Sequence, residues 1–153
     1  MTAVDYMNQA LDEARLALSE DEMPVGCVIV NADGGIIARA HNLREQQKDP
    51  TAHAEIIAIR RAAEAIGDWR LAGCALYVTL EPCPMCAGAI VMSRIARVVY
   101  GAKDEQAGCT GSLYRITEDP AFNHFAPADG GILANECAAL IEQFFLANRR
   151  LSP

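Results

Sequence analysis

Residues 75–92 have the sequence ALYVTLEPCPMCAGAIVM and change character partway along. The first six residues are apolar and rich in strand-forming types, which predicts a buried strand over Ala75–Leu80. Pro82 and Pro84 follow. Because proline is favoured in the first turn of a helix, a helix is predicted to begin here and to continue through Met92. A buried strand that leads directly into a helix indicates a layered α/β domain.

Similar patterns extend along the rest of the chain. Apolar residues three and four apart predict helices, and short β-branched runs predict strands. Residues 102–131 are rich in Gly, Asp, Pro and Asn, which predicts mostly loop. The order is α-β-β-α-β-α-β-α, and we expect a single domain over residues 1–153. The further elements are helices over Val4–Leu18, Ala52–Ile66 and Ile132–Arg150, a hairpin of Val25–Val30 with Ile36–Ala40, and a strand over Arg97–Tyr100.

The composition of the chain limits which cellular locations and which binding partners are expected. Of its 153 residues, 52% are hydrophobic and 22% are charged, as in ordinary globular proteins. No apolar run approaches the ~20 residues that span a bilayer, and the start lacks a secretion signal, so we expect a cytoplasmic protein without membrane contact. The net charge of −7 gives no global attraction to phosphate, so any contact with nucleic acid must come from a local patch.

Six cysteines are present, and in a chain of this size without an export signal they are expected to be thiols or metal ligands. Cys83 and Cys86 are three residues apart at a predicted helix start, where they can share a metal and where the helix dipole favours thiolates. A redox pair or half of a structural zinc cage are alternatives. The chain has no second Cys-x-x-Cys pair to complete a cage, and a redox pair leaves His53 and Glu55 without a role.

His53 and Glu55 lie at the predicted start of the second helix. Residues two apart on a helix point in nearly opposite directions, so both serve one site only if the helix end itself faces that site. Alone, such a pair is more often a surface feature. With Cys83 and Cys86, His53 gives three zinc ligands and leaves one tetrahedral position for water, as catalytic zinc sites require. Glu55 is then the candidate general acid/base.

Residues outside these motifs are expected to be structural. Trp69 is predicted to anchor the core just after a helix end. One of the adjacent Phe144 and Phe145 is predicted to face the core. The remaining cysteines are predicted to be small buried side chains, namely Cys27, Cys74, Cys109 and Cys137.

The His-x-Glu and Pro-Cys-x-x-Cys pattern is the signature of zinc-dependent nucleobase deaminases. The chain resembles one branch of them, the bacterial tRNA-specific adenosine deaminases, which convert the wobble adenosine of the anticodon to inosine. The resemblance extends from about Met7 to Arg150. It is densest in residues 49–55, 76–88 and 93–102, and Gly111-Ser112 and Asn123-His124 belong to the tRNA branch.

This resemblance implies a cytidine deaminase-like fold, with three α/β/α layers around a central mixed sheet. It implies a homodimer whose partner subunit helps to shape the site, zinc as the cofactor without an organic one, and the tRNA anticodon loop as substrate. Asn42 would contact the target nucleoside, and the Ala54 backbone would help to hold the base. The implied anticodon-loop surface consists of Asp104, Asn123, His124 and Phe145.

Three departures remove positive charge from the implied RNA face. Gln106 stands where the family commonly has lysine, Phe125 where it has arginine, and the tail ends soon after Arg149-Arg150. A free-base or nucleoside deaminase acting on guanine or cytosine is therefore an alternative. A non-catalytic zinc module is another, in which one of the remaining cysteines supplies a fourth ligand.

Overall fold

A computed structural model describes residues 1–148, and its elements follow the predicted order. Among these residues, no helix has both the length and the apolar character that crossing a bilayer demands. The helices are α1 (Ala3–Ser19), α2 (Arg44–Gln47), α3 (Ala54–Ile66), α4 (Pro84–Met92) and α5 (Ala134–Ala147), and the strands are β1 (Gly26–Val30), β2 (Ile36–His41), β3 (Ala75–Leu80), β4 (Arg97–Ala102) and β5 (Ala128–Asp129).

The five strands form one sheet in the order β2-β1-β3-β4-β5. The strands β2, β1 and β3 pair antiparallel, which confirms the predicted hairpin. The strands β3, β4 and β5 pair parallel, and α4 makes the crossover between β3 and β4. The sheet is therefore mixed, as the resemblance implies.

Helices cover both faces of the sheet. On one face, α1 and α5 contact the strands and each other. On the other face, α3 contacts the strands, and α4 packs against α3 and contributes Ile90 to the same core cluster. Alternate side chains of β1 enter the two layers, because successive residues of a strand point to opposite faces. Cys27 and Ile29 belong to the core beneath α3 and α4, and Val28 and Val30 to the core beneath α1. This arrangement confirms the three-layer α/β/α fold.

The helix α1 lies directly against β1, and Gly26 makes this contact possible. A Cβ atom at Gly26 would lie 1.9 Å from the carbonyl oxygen of Ala10 and 2.5 Å from the backbone nitrogen of Ala14. Any side chain would therefore push α1 away from the sheet. The close packing fixes β1 against α1, and Met23 and Val25, which precede β1, line the candidate site.

Several details differ from the sequence predictions. The prediction that Trp69 anchors the core is wrong: the side chain is 53% exposed, and the guanidinium of Arg70 lies 4.4 Å from its ring centroid. A cation over an indole face stabilises such an exposed position. Phe144 is buried and Phe145 is partly exposed, which confirms the prediction for that pair.

The last predicted helix is shorter than expected within the described residues. It begins at Ala134 because Leu133 adopts a left-handed backbone conformation, with φ of 55°. The Arg149-Arg150 end of that prediction lies outside the described residues. The structure also contains α2 and β5, which the sequence patterns did not predict because they span only four and two residues.

Candidate active site

The site lies where two helices begin at one edge of the sheet. His53 is the N-cap residue of α3 and Cys83 is the N-cap residue of α4, and both have extended backbone conformations. Neither side chain caps its own helix. The cap positions therefore leave the imidazole and the thiol free to face each other. Free backbone N–H groups at two helix starts also make this edge electropositive, which favours thiolates.

The side chains of His53, Cys83 and Cys86 converge into one cluster. The Nδ1 atom of His53 lies 3.5 Å from Sγ of Cys83 and 3.6 Å from Sγ of Cys86. Their candidate ligand atoms all lie within 4.8 Å of one another. In a tetrahedral site with Zn–S near 2.3 Å and Zn–N near 2.0 Å, a nitrogen and a sulfur ligand are about 3.6 Å apart. Both nitrogen–sulfur distances therefore match those of a tetrahedral zinc site.

The three side chains of this cluster have pKa values shifted in different directions. Hydrogen bonds from Cys86 and His53 lower the pKa of Cys83 to about 4, against the opposing effect of burial. The hydrogen bond to Cys83, together with burial, raises the pKa of Cys86 far above its ordinary value. The hydrogen bond to Cys83 also raises the pKa of His53. The surroundings of Cys83 thus favour its thiolate, which is the form of cysteine that binds a metal.

Glu55 lies beside this cluster in the first turn of α3. Its side chain is only 4% exposed. Burial raises its pKa to about 7, and the nearby Cys83 acts in the same direction. A carboxyl group with a pKa near neutrality can both accept and donate a proton under ordinary conditions. This is the property required of a general acid/base.

A pocket of about 230 Å³ opens next to the cluster. This volume is smaller than the roughly 300–1,000 Å³ of sites for drug-sized ligands, so it has room for a single small ring system. Its wall is built from the starts of α3 and α4, the end of β3, the segment before β1, the segment after β2 and the loop after β4. The lining residues are Met23, Val25, Asn42, Arg44, His53, Ala54, Glu55, Leu80, Glu81, Cys83, Asp104 and Ala107.

The predicted substrate contacts fall into two groups. Asn42, Ala54 and Asp104 line the pocket together with the metal-binding cluster. Asn123, His124 and Phe145 lie outside its wall: Asn123 is exposed, and Nε2 of His124 is 2.6 Å from the carbonyl oxygen of Ile95, beyond the far end of α4. The structure brings the first group to the site and leaves the second on the surface.

Sequence reasoning gave no role to Glu81, which holds one wall of the pocket. Its buried carboxylate accepts backbone hydrogen bonds from Asp104 at 3.1 Å, Thr110 at 3.2 Å and Ser112 at 2.8 Å. A Cβ atom at Gly108 would lie 2.3 Å from the carboxyl carbon of Glu81, so the loop needs glycine to approach this closely. A glutamate that ends an apolar strand beside the metal motif was the only available signal.

The proposed structural zinc module lacks its fourth ligand. Within residues 1–148, which include all six cysteines, the metal-binding cluster contains His53, Cys83 and Cys86 alone. The four other cysteines are free and buried elsewhere, as predicted for them. The cluster thus leaves one coordination position for water, as expected of a catalytic zinc site.

Comparisons with known proteins agree with this geometry. Residues 1–102 match the family described as the cytidine and deoxycytidylate deaminase zinc-binding region. The tRNA-specific adenosine deaminase of Bacillus subtilis strain 168 is 49% identical over 95% of this chain and 89% of its own length. A solved structure from a study of A-to-I editing by tRNA:A34 deaminases is 46% identical, with a TM-score of 0.85 over 89% of this chain and 98% of that one. A guanine deaminase structure from Bacillus subtilis is 41% identical over 67% of this chain and 66% of that one, with a TM-score of 0.64.

The fold and the His-Cys-Cys cluster define a zinc-dependent deaminase, which is an enzyme of the hydrolase class. Within that class, the chain belongs to the family of tRNA-specific adenosine deaminases.

The lowered pKa of Cys83 predicts selective alkylation of this residue in the zinc-free protein. Near pH 6.5, about two units below the ordinary thiol pKa, iodoacetamide should modify Cys83 before any other cysteine, because only its thiolate is strongly favoured. Cys27 and Cys137 are the internal controls, since burial raises the pKa of each. Peptide mass spectrometry gives the order of labelling, and added zinc should protect Cys83. Equal labelling of Cys83 and Cys27 in the folded protein contradicts the described cluster.

Proposed function

We propose that the chain hydrolyses the amino group of the wobble adenosine in a tRNA anticodon loop and so produces inosine. The observation that carries this proposal is the position of buried Glu55 beside the cluster of His53, Cys83 and Cys86, in a pocket with room for one base. The substrate follows from the relatives, since the tRNA:A34 deaminase structure matches nearly its whole length, whereas the guanine deaminase structure matches about two-thirds of its own.

We assign the metal ligands to His53, Cys83 and Cys86. When bound, zinc supplies a Lewis acid that makes a coordinated water acidic enough to react near neutral pH. His53 contributes Nδ1 and the cysteines contribute Sγ, at the separations described above. The two helix starts keep these atoms in place, so the ligand set needs little rearrangement on binding.

Glu55 is assigned to proton transfer. Its carboxylate takes one proton from the water that attacks the amine-bearing carbon and passes it to the neighbouring ring nitrogen. It then takes the second proton from the hydroxyl now on that carbon and passes it to the amine, which leaves as ammonia. The pKa near 7 suits both directions, because neither form of the group is strongly disfavoured. Burial at the pocket floor excludes bulk water as a competing proton donor.

The pocket residues are assigned to base recognition. Asn42 lines the pocket with an amide whose oxygen already accepts a hydrogen bond from the Arg44 backbone at 3.1 Å, which fixes its orientation. Ala54 is the first residue of α3, where backbone N–H groups have no partner within the helix. A pocket with room for one ring system requires the base to leave its stack before reaction.

The surface residues are assigned to the flanking nucleotides. Asp104 lies at the pocket rim, and its Oδ1 atom is already occupied by backbone hydrogen bonds from Gln106 and Ala107, so Oδ2 is left for RNA. Asn123, His124 and Phe145 are assigned to contacts farther from the reacting base. RNA recognition commonly uses splayed bases that stack on aromatic side chains, which suits Phe145 and the imidazole of His124.

The substrate assignment predicts that an anticodon stem-loop carrying one wobble adenosine is deaminated far faster than free adenosine, guanine or cytosine. Flanking nucleotides add the binding energy that a single base lacks. The measurement is ammonia release for each substrate across a series of salt concentrations. Because Gln106 and Phe125 are both exposed and uncharged, the log-log salt slope of hairpin binding should be shallow, only a few units at about −0.7 per phosphate contact.

Glu55→Gln is the matched control, since the amide keeps the size of the side chain and removes its proton transfer. It should retain zinc and lose about 10² to 10⁴ in turnover. Faster turnover of guanine or cytosine than of the hairpin at every salt concentration disproves the tRNA assignment. A loss below tenfold in the zinc-loaded variant shows that another group carries the protons.

We also propose that each chain is one catalytic domain over residues 1–153 and that two chains assemble through α4. This helix contains no charged residue, and its outer surface includes Met92, which is 68% exposed, and Gly88, which has no atom within 4 Å of a Cβ position. A helix that is apolar all round is normally buried. A second copy on this surface would lie next to Cys83.

A tRNA substrate and free cysteines also fit a cytoplasmic location.

Sedimentation of the full chain tests this assembly. The wild type should sediment as a dimer, and Met92→Glu should shift it towards single chains because it places a charge in an apolar contact. Leu16→Glu is the control, since Leu16 is 48% exposed on α1 in the opposite layer, and it should leave the dimer intact. A wild type that remains a single chain at high concentration contradicts the dimer.

A further inference from the structure

A completely buried carboxylate, that of Glu22, lies behind the pocket without lining it. Glu22 follows the end of α1. Its Oε1 atom accepts a hydrogen bond from the backbone N–H of Glu45 at 3.0 Å, and its Oε2 atom accepts one from that of Gln46 at 2.8 Å. These two amides belong to the first turn of α2. The N-cap residue of that turn, Leu43, has no side-chain oxygen to offer, so Glu22 supplies the cap from a distant part of the chain.

The segment that Glu22 holds carries residues of the pocket wall. Asn42 lies two residues before the first residue of α2, and both Asn42 and Arg44 line the pocket. Asn42 is tied to the residues after Glu22, because its backbone N–H donates to the carbonyl of Val25 at 3.1 Å and its amide nitrogen to that of Met23 at 3.4 Å. Glu22 thus links the end of α1, the start of β1 and the Asn42 segment at one point.

Stability alone does not account for a carboxylate at this position. Burying a charged group costs free energy, and replacing it with an apolar side chain of similar size is often neutral or stabilising. Two backbone hydrogen bonds offset that cost here. Because hydrogen bonds are directional, these two also fix the position of the Asn42 segment relative to the pocket.

We propose that Glu22 is a positioning residue for substrate recognition, which holds Arg44–Gln47 so that the amide of Asn42 faces the target base. It acts through Asn42 and does not touch the substrate. The inference rests on the proposed deamination of a nucleoside in RNA, and it adds a residue about 20 positions before Asn42 to the determinants of that site.

The test uses Glu22→Gln in the full zinc-loaded chain with the wobble-adenosine stem-loop as substrate. Glutamine keeps the size of the side chain but directs an N–H₂ group at a backbone donor. The KM for the stem-loop should rise about tenfold, as expected for one misplaced hydrogen bond, with a smaller change in kcat and unchanged zinc content. Glu20→Gln is the matched control, because Glu20 is exposed and contacts α2 only through the side chain of Gln46. It should leave KM unchanged.

A double-mutant cycle separates positioning from a general loss of structure. If Glu22 acts through Asn42, then Glu22→Gln should raise KM little further in an Asn42→Ala background. Full additivity of the two effects overturns the proposal. Glu22→Leu is a second variant for the case that Glu22→Gln misfolds. It removes both carboxylate oxygens without adding a buried polar group, and it should raise KM as Glu22→Gln does. A wild-type KM in a folded Glu22→Leu protein also overturns the proposal.

Hydrogen exchange gives a readout that does not depend on activity. The backbone amides of Glu45 and Gln46 should exchange faster in Glu22→Gln than in the wild type, while those of β1 and β3 stay protected. Unchanged exchange at Glu45 and Gln46 overturns the positioning role. A wild type that fails to deaminate the stem-loop instead disproves the proposed function, and the exchange result is then still interpretable.

Discussion

The N-terminal ends of α3 and α4 meet at one edge of the sheet, and the chemistry of the site depends on that meeting. His53 and Cys83 are the cap residues of these helices, so the backbone that begins each helix also fixes a candidate metal ligand. Cys86 and Glu55 lie within the first turns and face the same space. Because β3 leads directly to α4, the packing of the sheet sets the distance between the two helix starts. A shift of either helix would separate Nδ1 of His53 from the two sulfur atoms.

Buried carboxylates complete the site from behind. Glu81 accepts hydrogen bonds from the loop after β4, and Glu22 accepts them from α2, so segments on two sides of the pocket are held by buried glutamate side chains. Such groups are costly in an apolar interior unless they are hydrogen-bonded. In both cases the partners include backbone N–H groups. The loop at Glu81 also needs glycine at position 108 for its close approach, and the Ser112 hydroxyl adds a side-chain donor. These hydrogen bonds keep the two sides of the pocket wall in position.

Much of this fold could be predicted from the sequence, because its elements are long enough to show their periods. The strand and helix around residues 75–92 and the helix at Ala54–Ile66 are examples. The cluster was also predictable, since Cys83 and Cys86 have ligand spacing at a helix start. The predictions fail where an element is short or its role depends on distant partners. The four-residue α2 has no detectable period, and Trp69 lies exposed beside the guanidinium groups of Arg70 and Arg94. The backbone donors to Glu22 and Glu81 lie 23 to 31 residues away in the chain.

The reaction proposed for this site requires His53, Cys83 and Cys86 to hold one zinc ion and to leave one position for water. Zinc-edge X-ray absorption of the purified full chain, with metal content measured on the same sample, gives the number and type of the ligands. We expect about one zinc per chain with two sulfur ligands near 2.3 Å and two nitrogen or oxygen ligands near 2.0 Å. A site with three or four sulfur ligands would contradict the open coordination position, and a folded, active protein without zinc would contradict zinc-dependent catalysis at this site.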